Sequence, residues 1–218
     1  RDTDGSEQYT LLIRDLETGI DLPDRIEGTS YAGVAFSTDA TQLFYVLNDE
    51  AMRPYRVMRH RIGTPQTDDT EVWVDNDERF FVGVGTTRSA NFIVIESGSR
   101  TTGECHLIPA DQPLADPARH DAPTVWSELI AHESGRRIID VDAFADFLVI
   151  QEWSEAQPRI RIVSRNGAES VINVLDEPHD IELDSNPEWT TSTLRVAYQA
   201  MLTPPTVADY SLDDAAIT

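Results

Sequence analysis

A nine-residue pattern that recurs along the chain constrains its fold more than any other feature of the sequence. Residues 38–46, TDATQLFYV, align with residues 87–95, TRSANFIVI, at an offset of 49 positions. A third copy, DAFADFLVI at residues 142–150, follows after a further 55 positions. In each copy, small or polar residues lead into an apolar run of β-branched and aromatic residues, which is typical of a turn entering a buried strand. The sequence therefore predicts repetition of one small β-unit.

Short apolar runs bounded by Asp, Asn, Gly, Ser or Thr predict strands through most of the chain. The predicted strands cover residues 9–13, 33–36, 43–47, 55–58, 71–74, 80–84, 92–96, 105–108, 147–152, 159–163, 170–174 and 194–198. Apolar residues at helical spacing are scarce, and the best helical segment, residues 124–132, fits a strand equally well. A unit of about 40 to 50 residues with about four strands is typical of a β-propeller blade. We predict an all-β chain, a β-propeller with about four four-stranded blades; the alternative, a β-sandwich, requires no fixed repeat.

The charge of the chain argues against two classes of partner. Its 17 basic residues, all of them arginine, stand against 39 acidic residues, so the formal net charge is −22. Phosphate backbones and anionic lipid surfaces attract clusters of basic residues, and a net charge of this sign opposes both. No apolar run approaches the roughly 20 residues that a spanning helix needs. We therefore expect no nucleic acid and no membrane among the partners.

Several stretches, in a fixed order, carry a resemblance to a known family. Residues 53–64, RPYRVMRHRIGT, followed by DERF at 77–80, resemble the propeller domain of prolyl oligopeptidase-type serine peptidases, and within that family the oligopeptidase B (protease II) branch. Further matching stretches are DGSEQY at 4–9, RDLETG at 14–19, LFYV at 43–46 and LRVAY at 194–198. The resemblance spans nearly the whole chain, and it depends on the order and spacing of these stretches rather than on one motif.

The resemblance implies that residues 1–218 are part of an N-terminal, non-catalytic propeller with an expected seven blades. Members of the family carry about one further blade where this chain has only residues 114–125, so we expect a missing segment of about one blade near residues 113–114. The first blades would precede Arg1, and the α/β-hydrolase domain that carries catalysis would follow Thr218. Neither is present in this chain.

The implied function is substrate gating in a cytoplasmic serine oligopeptidase that hydrolyses short peptides after Arg or Lys. The partners would be short peptide substrates and the hydrolase domain of the same protein, and the isolated segment would be inactive. Two alternatives stay open. The chain could be a non-enzymatic propeller that binds proteins, or it could belong to a proline-specific peptidase or a dipeptidyl-peptidase.

The sequence contains no recognisable catalytic motif. A serine peptidase of this type places its nucleophile in Gly-x-Ser-x-Gly, and no such pentapeptide occurs here. We therefore assign no catalytic residue and no substrate-binding residue. The histidines have no metal-ligand spacing and are expected to be structural or exposed; they are His60, His106, His120, His132 and His179.

The remaining candidate sites also have a plain structural interpretation. Residues 2–5, DTDG, imitate the start of a calcium loop, but the glycine comes two positions early, which favours a β-turn. Cys105 is expected to be a small buried side chain, because it lies in a predicted apolar strand, residues 105–108. No cofactor or metal ion is predicted.

Charged and aromatic residues give three further expectations. The acidic residues between 68 and 78 are expected on outer strands and loops, with attraction of cationic peptides as the alternative. Arg53, before Pro54, is expected to pair with Asp49 or Glu50, with a contact to another domain as the alternative. The tryptophans are expected to pack between blades; they are Trp73, Trp126, Trp153 and Trp189.

Overall fold

The structure is a computed structural model and describes residues 1–2, 5–119 and 130–217. It divides into two compact units, residues 1–124 and 125–218. Apart from one 3-10 turn at Gln66–Asp68, every regular element in the described ranges is a β-strand. None of the helices among these residues could cross a membrane. The all-β prediction is confirmed, whereas most of the ambiguous segment 124–132 lies outside the described residues.

The first unit begins with a five-stranded antiparallel sheet. Its strands, in spatial order, are β1 (Tyr9–Arg14), β2 (Asp21–Phe36), β3 (Gln42–Asn48), β4 (Pro54–Arg61) and β5 (Thr70–Val74). The long strand β2 has two partners, because residues 21–29 pair with β1 and residues 29–36 pair with β3. The sheet is therefore a four-stranded blade, formed from the second half of β2 onward, with a hairpin joined to its first strand.

The second sheet of this unit is a four-stranded meander. It consists of β6 (Phe81–Thr86), β7 (Phe92–Gly98), β8 (Gly103–Pro109) and the short β9 (Ala118–Arg119). Alternate side chains of β6, β7 and β8 form one hydrophobic core with alternate side chains of β3 and β4. Phe44, Val46, Ile93, Ile95 and Ile108 are completely buried there. Because neighbouring side chains on a strand point to opposite faces, each sheet contributes one apolar face to this core.

The second unit contains two further four-stranded meanders. The third sheet consists of β10 (Arg136–Ala143), β11 (Phe147–Ser154), β12 (Gln157–Ser164) and β13 (Glu169–Val171). The fourth consists of β14 (His179–Leu183), β15 (Thr193–Ala200), β16 (Thr206–Ser211) and β17 (Ala216–Ile217). Val149, Ile160, Leu194 and Val196, all fully buried, join the two sheets in one core. The expected number of about four blades is confirmed.

The sequence repeats correspond to equivalent places in the sheets. The three copies of the nine-residue pattern end in β3, β7 and β11, each of which is paired on both sides. In the first two copies the preceding turn has the same form, because Ala40 and Ala90 both adopt a positive φ, of 53° and 56°. The third copy differs, since its first residues still belong to β10. The repeat therefore predicts the strand reliably and the turn only in part.

Every predicted strand is present, and several strands were missed. The missed segments are the first part of β2 and all of β9, β10, β14, β16 and β17. β10 was missed because its sequence, RRIIDVDA, mixes charged and apolar residues and leaves most of them exposed. Residues 170–174 are strand only as far as Val171. Near residues 113–114 the chain forms a turn in which Ala115 N donates to Gln112 O at 3.0 Å. A missing blade near this turn stays a prediction.

The close approach of β2 and β6 gives the first test. Gly33 has a φ of +103°, and a Cβ atom placed on it would lie 2.0 Å from the carbonyl oxygen of Val84. We expect Gly33→Ala to lower the free energy of unfolding by about 3 kcal/mol or more, because an unfavourable φ and a backbone clash add together. Urea denaturation measures the change.

Gly83→Ala is the matched control. A Cβ atom on Gly83 would meet only the carbonyl oxygen of Ala32, at 3.6 Å, and its φ is not positive. This variant should stay within about 1 kcal/mol of the original protein. Equal losses for the two variants would contradict a close contact specific to Gly33.

Candidate functional site

The most enclosed group of titratable side chains surrounds His60. His60 Nδ1 lies 2.7 Å from Asp69 Oδ1, and His60 Nε2 lies 2.9 Å from Asp24 Oδ1. The hydroxyl group of Tyr45 donates to Asp69 Oδ2 at 2.7 Å, and the backbone N–H of Gly63 donates to Asp24 Oδ1. The side chains of His60, Asp24 and Asp69 are no more than 2% exposed. This His60 cluster joins β2, β3, β4 and the entry to β5.

The hydrogen bonds of the His60 cluster favour a charged imidazolium between two carboxylates. Burial opposes protonation of His60, but the hydrogen bonds to Asp24 and Asp69 outweigh it and raise the pKa of the imidazole above its usual value. The pKa of Asp24 is lowered although burial opposes this, because His60 and Gly63 donate to its carboxylate. Burial, followed by the bond to Asp69, raises the pKa of Tyr45. The cluster can thus hold a proton, but the described residues bring no serine hydroxyl to His60.

A second polar network surrounds Arg53 at the opposite end of the same sheet. Arg53 is 8% exposed, and its Nε donates to Asp49 Oδ2 at 2.9 Å. Its Nη1 donates to the carbonyl oxygens of Asp75, Asp77 and Phe80, at 3.3, 3.1 and 2.8 Å. The predicted pairing of Arg53 with Asp49 is confirmed. The acceptors of these hydrogen bonds all belong to the first unit. The bonds to Asp75, Asp77 and Phe80 anchor the loop between the first and second sheets.

The second unit contains a buried ion pair that sequence reasoning missed. Glu152 on β11 is 1% exposed and accepts from Arg159 Nε at 2.6 Å and from Arg161 Nη2 at 2.7 Å. Arg161 also donates to Glu169 at 3.0 Å, across to β13. Ile160 and Ile162 contribute to the apolar core, so the intervening Arg161 lies on the other face of the sheet. The signal in the sequence was the alternation of Arg and Ile in RIRI, which marks a strand with one polar face.

The other candidate residues have local, structural surroundings. His106 packs against the ring of Trp73, with ring centroids 3.9 Å apart, and His179 Nδ1 lies 2.7 Å from the carbonyl oxygen of Glu177. His132 is exposed, and His120 lies outside the described residues. Burial raises the pKa of the Cys105 thiol, with Glu96 adding to the effect. This thiol is therefore a weaker nucleophile at neutral pH than a free cysteine.

The two features considered for metal binding were the histidines and the DTDG stretch at residues 2–5. No group of three or more His, Cys, Asp or Glu side chains there is arranged to hold an ion. At the chain start, Asp2 accepts from the backbone N–H groups of Gly5 and Glu7, at 2.9 and 3.1 Å. Thr3 and Asp4 lie outside the described residues, so the β-turn expected at residues 2–5 stays a prediction.

The acidic stretch between residues 68 and 78 does not form one surface. Asp69 belongs to the His60 cluster, and Glu71 pairs with Arg56 at 3.2 Å. Asp75 accepts from Ser97 Oγ at 2.6 Å, and Asp77 pairs with Arg79. The expectation that these residues lie on an outer strand and in loops is confirmed, because β5 is the last strand of its sheet.

The tryptophans follow the packing prediction only in part. Trp73 packs against the core between the first and second sheets, as predicted. Trp153 is 43% exposed, so its prediction as a residue packed between blades is wrong. It is the penultimate residue of β11, next to the hairpin that leads to β12. Trp126 lies outside the described residues.

Comparison with known proteins places these sheets in a family. A family model described as "Prolyl oligopeptidase, N-terminal beta-propeller domain" matches residues 1–119 and 114–218. Dipeptidyl aminopeptidase BI of Pseudoxanthomonas mexicana is 28% identical, over 94% of this chain and 34% of its own length. Protease 2 of Moraxella lacunata is 25% identical, over 96% of this chain and 36% of its own length.

A solved structure shows the same fold. Oligopeptidase B from Leishmania major superposes with a TM-score of 0.81 and 20% identity, over 97% of this chain and 37% of that chain. The four sheets are therefore propeller blades, as the repeat predicted. The chain spans about a third of the length of the relatives that it matches.

The His60 cluster predicts a specific dependence of stability on pH. Because the pKa of His60 is raised in the folded protein, the folded state keeps a proton that the unfolded state has lost above about pH 6.5. The free energy of unfolding should fall as pH rises from there through the folded-state pKa, by at most about 1.4 kcal/mol per pH unit. Urea denaturation between pH 5 and 9, taken as about two units on each side of neutrality, measures this slope.

His60→Gln should remove the slope, since an amide does not titrate, and His132→Gln, at an exposed position, should keep it. An unchanged slope in His60→Gln would show that His60 is not the titrating group.

The buried ion pair gives a matched pair of variants. Glu152→Gln leaves Arg161 buried without its main counter-charge, and we expect a loss of about 3 to 5 kcal/mol in the free energy of unfolding. Glu169→Gln removes a carboxylate that contacts the same guanidinium but is half exposed, so we expect a loss below about 1 kcal/mol. Thermal and urea denaturation measure both. Similar losses for the two variants would contradict the central position of Glu152.

Proposed function

Because the chain belongs to the family of prolyl oligopeptidase N-terminal β-propeller domains, we propose that it is the substrate-gating propeller of a serine oligopeptidase. The segment itself is non-catalytic, and its partner is an α/β-hydrolase domain of the same protein. The main support is the family match over the whole chain, together with matched relatives that are peptidases about three times as long.

The proposed non-catalytic role agrees with the sequence motifs and with the chemistry of the described residues. The sequence has no Gly-x-Ser-x-Gly motif, and no described histidine bonds to a serine hydroxyl. His60, the most strongly hydrogen-bonded imidazole in the described ranges, has both ring nitrogens engaged by carboxylates. A propeller of this kind acts by admitting short peptides and excluding larger ones and bulk water from the catalytic centre.

The proposed substrates are short peptides cleaved after Arg or Lys in the cytoplasm. The resemblance of residues 53–64 to the oligopeptidase B branch and the similarity to a protease 2 support this specificity. A second candidate is removal of dipeptides from peptide N-termini. It is favoured by the 28% identity to a dipeptidyl aminopeptidase.

One experiment separates these two activities. The complete protein is incubated with a short peptide that contains an internal arginine, with either a free or an acetylated N-terminus, and the products are identified by mass spectrometry. An oligopeptidase of the proposed kind cleaves both peptides after arginine, whereas a dipeptidyl aminopeptidase requires the free N-terminus. The 218-residue chain alone should cleave neither peptide. Hydrolysis by the isolated chain would overturn the non-catalytic role.

Negative charge offers a secondary contribution to the proposed gating. A net charge of −22 raises the local concentration of cationic peptides at low ionic strength. The kcat/KM of the complete protein for an arginine peptide should then fall as salt is added, while that for a neutral peptide should not. Equal salt dependence for the two peptides would exclude this contribution.

We also propose that about one blade is missing near residues 113–114. The two relatives align over 244 and 246 positions while covering 94% and 96% of this chain, so about 40 of their positions have no counterpart here, close to one blade. The family model matches in two stretches that meet at residues 114–119. Sequencing the transcript across the codons for residues 109–136 tests this. Additional codons for about one blade between these positions would support the proposal. A transcript that encodes residues 109–136 without additional codons would overturn it.

A further inference from the structure

Several arginines in the described ranges have no ion pair, and two of them, Arg59 and Arg61, are close neighbours on β4. Acidic residues outnumber arginines by more than two to one, and most arginines in the described ranges pair with a carboxylate, as Arg14, Arg56 and Arg195 do. No carboxylate oxygen of the described residues lies within ion-pair distance of Arg59 or Arg61, and Asp116 interacts with Arg59 at longer range. Their guanidinium groups are therefore available to bind an external anion.

The strand register places both arginines on one face of the first sheet. They are two residues apart on β4, so their side chains point the same way and their Cα atoms are about 6.5 to 7 Å apart. Gln42 of β3 lies directly opposite Arg61, and Phe44 lies opposite Arg59. Arg59, Arg61 and Gln42 line a cavity of about 680 Å³. We call this space the arginine cavity.

Gln42 adds amide donors to the arginine cavity. It is only 9% exposed, yet its side-chain amide makes no hydrogen bond within the described part of the chain, although the backbone N–H of the same residue donates to Ser37 Oγ. The atoms of this amide are not among the buried polar atoms that lack a partner in the described residues, so the amide opens into the cavity. An anion bound in the arginine cavity could accept hydrogen bonds from the amide N–H groups of Gln42.

The two arginines differ in how they are held. Arg59 Nη1 donates to the carbonyl oxygen of Pro113 at 2.9 Å, which orients the guanidinium and leaves its other N–H groups for a ligand. Arg61 is exposed to solvent. The surrounding acidic groups are Asp68, the one carboxylate that lines the cavity, and Asp116, which interacts with Arg59 at longer range. The lining itself therefore holds two positive charges against one negative charge, and Asp116, which does not line the cavity, offsets part of the excess.

From these observations we infer that Arg59, Arg61 and Gln42 form a binding site for a small oxyanion, a carboxylate or a phosphate group. The fork of a guanidinium group matches two oxygens of either anion, and such charge-assisted bonds are stronger than neutral ones. The cavity has room for the anion and for the group that carries it. The inference does not depend on the proposed peptidase function, because it uses only the geometry of the first unit.

Direct binding measurements test the site. Isothermal titration calorimetry at low ionic strength would be carried out with inorganic phosphate, with a short neutral peptide that has a free C-terminal carboxylate, and with the C-terminal amide of the same peptide. We expect saturable binding of phosphate or of the free-acid peptide, and at least tenfold weaker binding of the amide. Binding of phosphate with equal binding of both peptides identifies phosphate as the source of the oxyanion. Absence of saturable binding by all three overturns the inference.

Three variants make the test specific to these residues. Arg61→Gln should weaken binding about tenfold or more, because it removes a charged donor at an exposed position without disturbing the bond between Arg59 and Pro113. Arg100→Gln makes the same charge change in the exposed β7–β8 hairpin and should leave affinity within about twofold. Asp68→Asn should strengthen binding, since it removes the one negative charge of the lining. Unchanged affinity in Arg61→Gln, or equal losses in Arg61→Gln and Arg100→Gln, would overturn the assignment.

Discussion

A four-stranded antiparallel sheet has two faces and cannot bury either of them alone, and the rest of the structure depends on this constraint. In the first unit Phe44 and Val46 of one sheet meet Ile93 and Ile95 of the next. In the second unit the same role falls to Val149, Ile160 and the residues that face them. At about 25 cal/mol for each Å² of apolar surface removed from water, these faces are the dominant stabilising contribution. The blade is repeated along the chain because each sheet requires a neighbouring sheet to bury its apolar face.

The principal charged groups within this packing are paired, although single buried atoms such as Asp24 Oδ2 and Arg161 Nε have no hydrogen-bond partner among the described residues. The His60 cluster and the pair of Glu152 with Arg161 each place charged atoms at positions that are almost inaccessible to water. Such groups are costly to bury and costlier still to leave without a partner. They therefore restrict which strands can lie next to one another more than apolar contacts do. An apolar side chain can pack against many different apolar partners, whereas a buried carboxylate requires a donor at a specific position.

The arginine cavity, by contrast, contains two guanidinium groups without an ion pair among the described residues. Arg59 and Arg61 are on the same face of the sheet as Phe44. They follow the apolar core where β4 ends and β3 begins. The positive lining of this cavity contrasts with a chain whose net charge is −22. In a propeller proposed to handle peptides, such a place distinguishes the carboxylate end of a ligand from its cationic parts, which the rest of the surface attracts.

The sequence alone determined the fold class, the repeat and nearly all the central strands, because burial on both faces leaves an apolar signature such as LFYV or FIVI. It did not reveal β10 or β14, whose exposed faces carry charges. Nor did it bring Asp24, His60 and Asp69 together, because these residues are 36 and 9 positions apart and meet only when β2 and β4 lie in one sheet. Local patterns report whether a side chain is buried, whereas the partner of a buried charge depends on strand pairing, which only the tertiary structure decides.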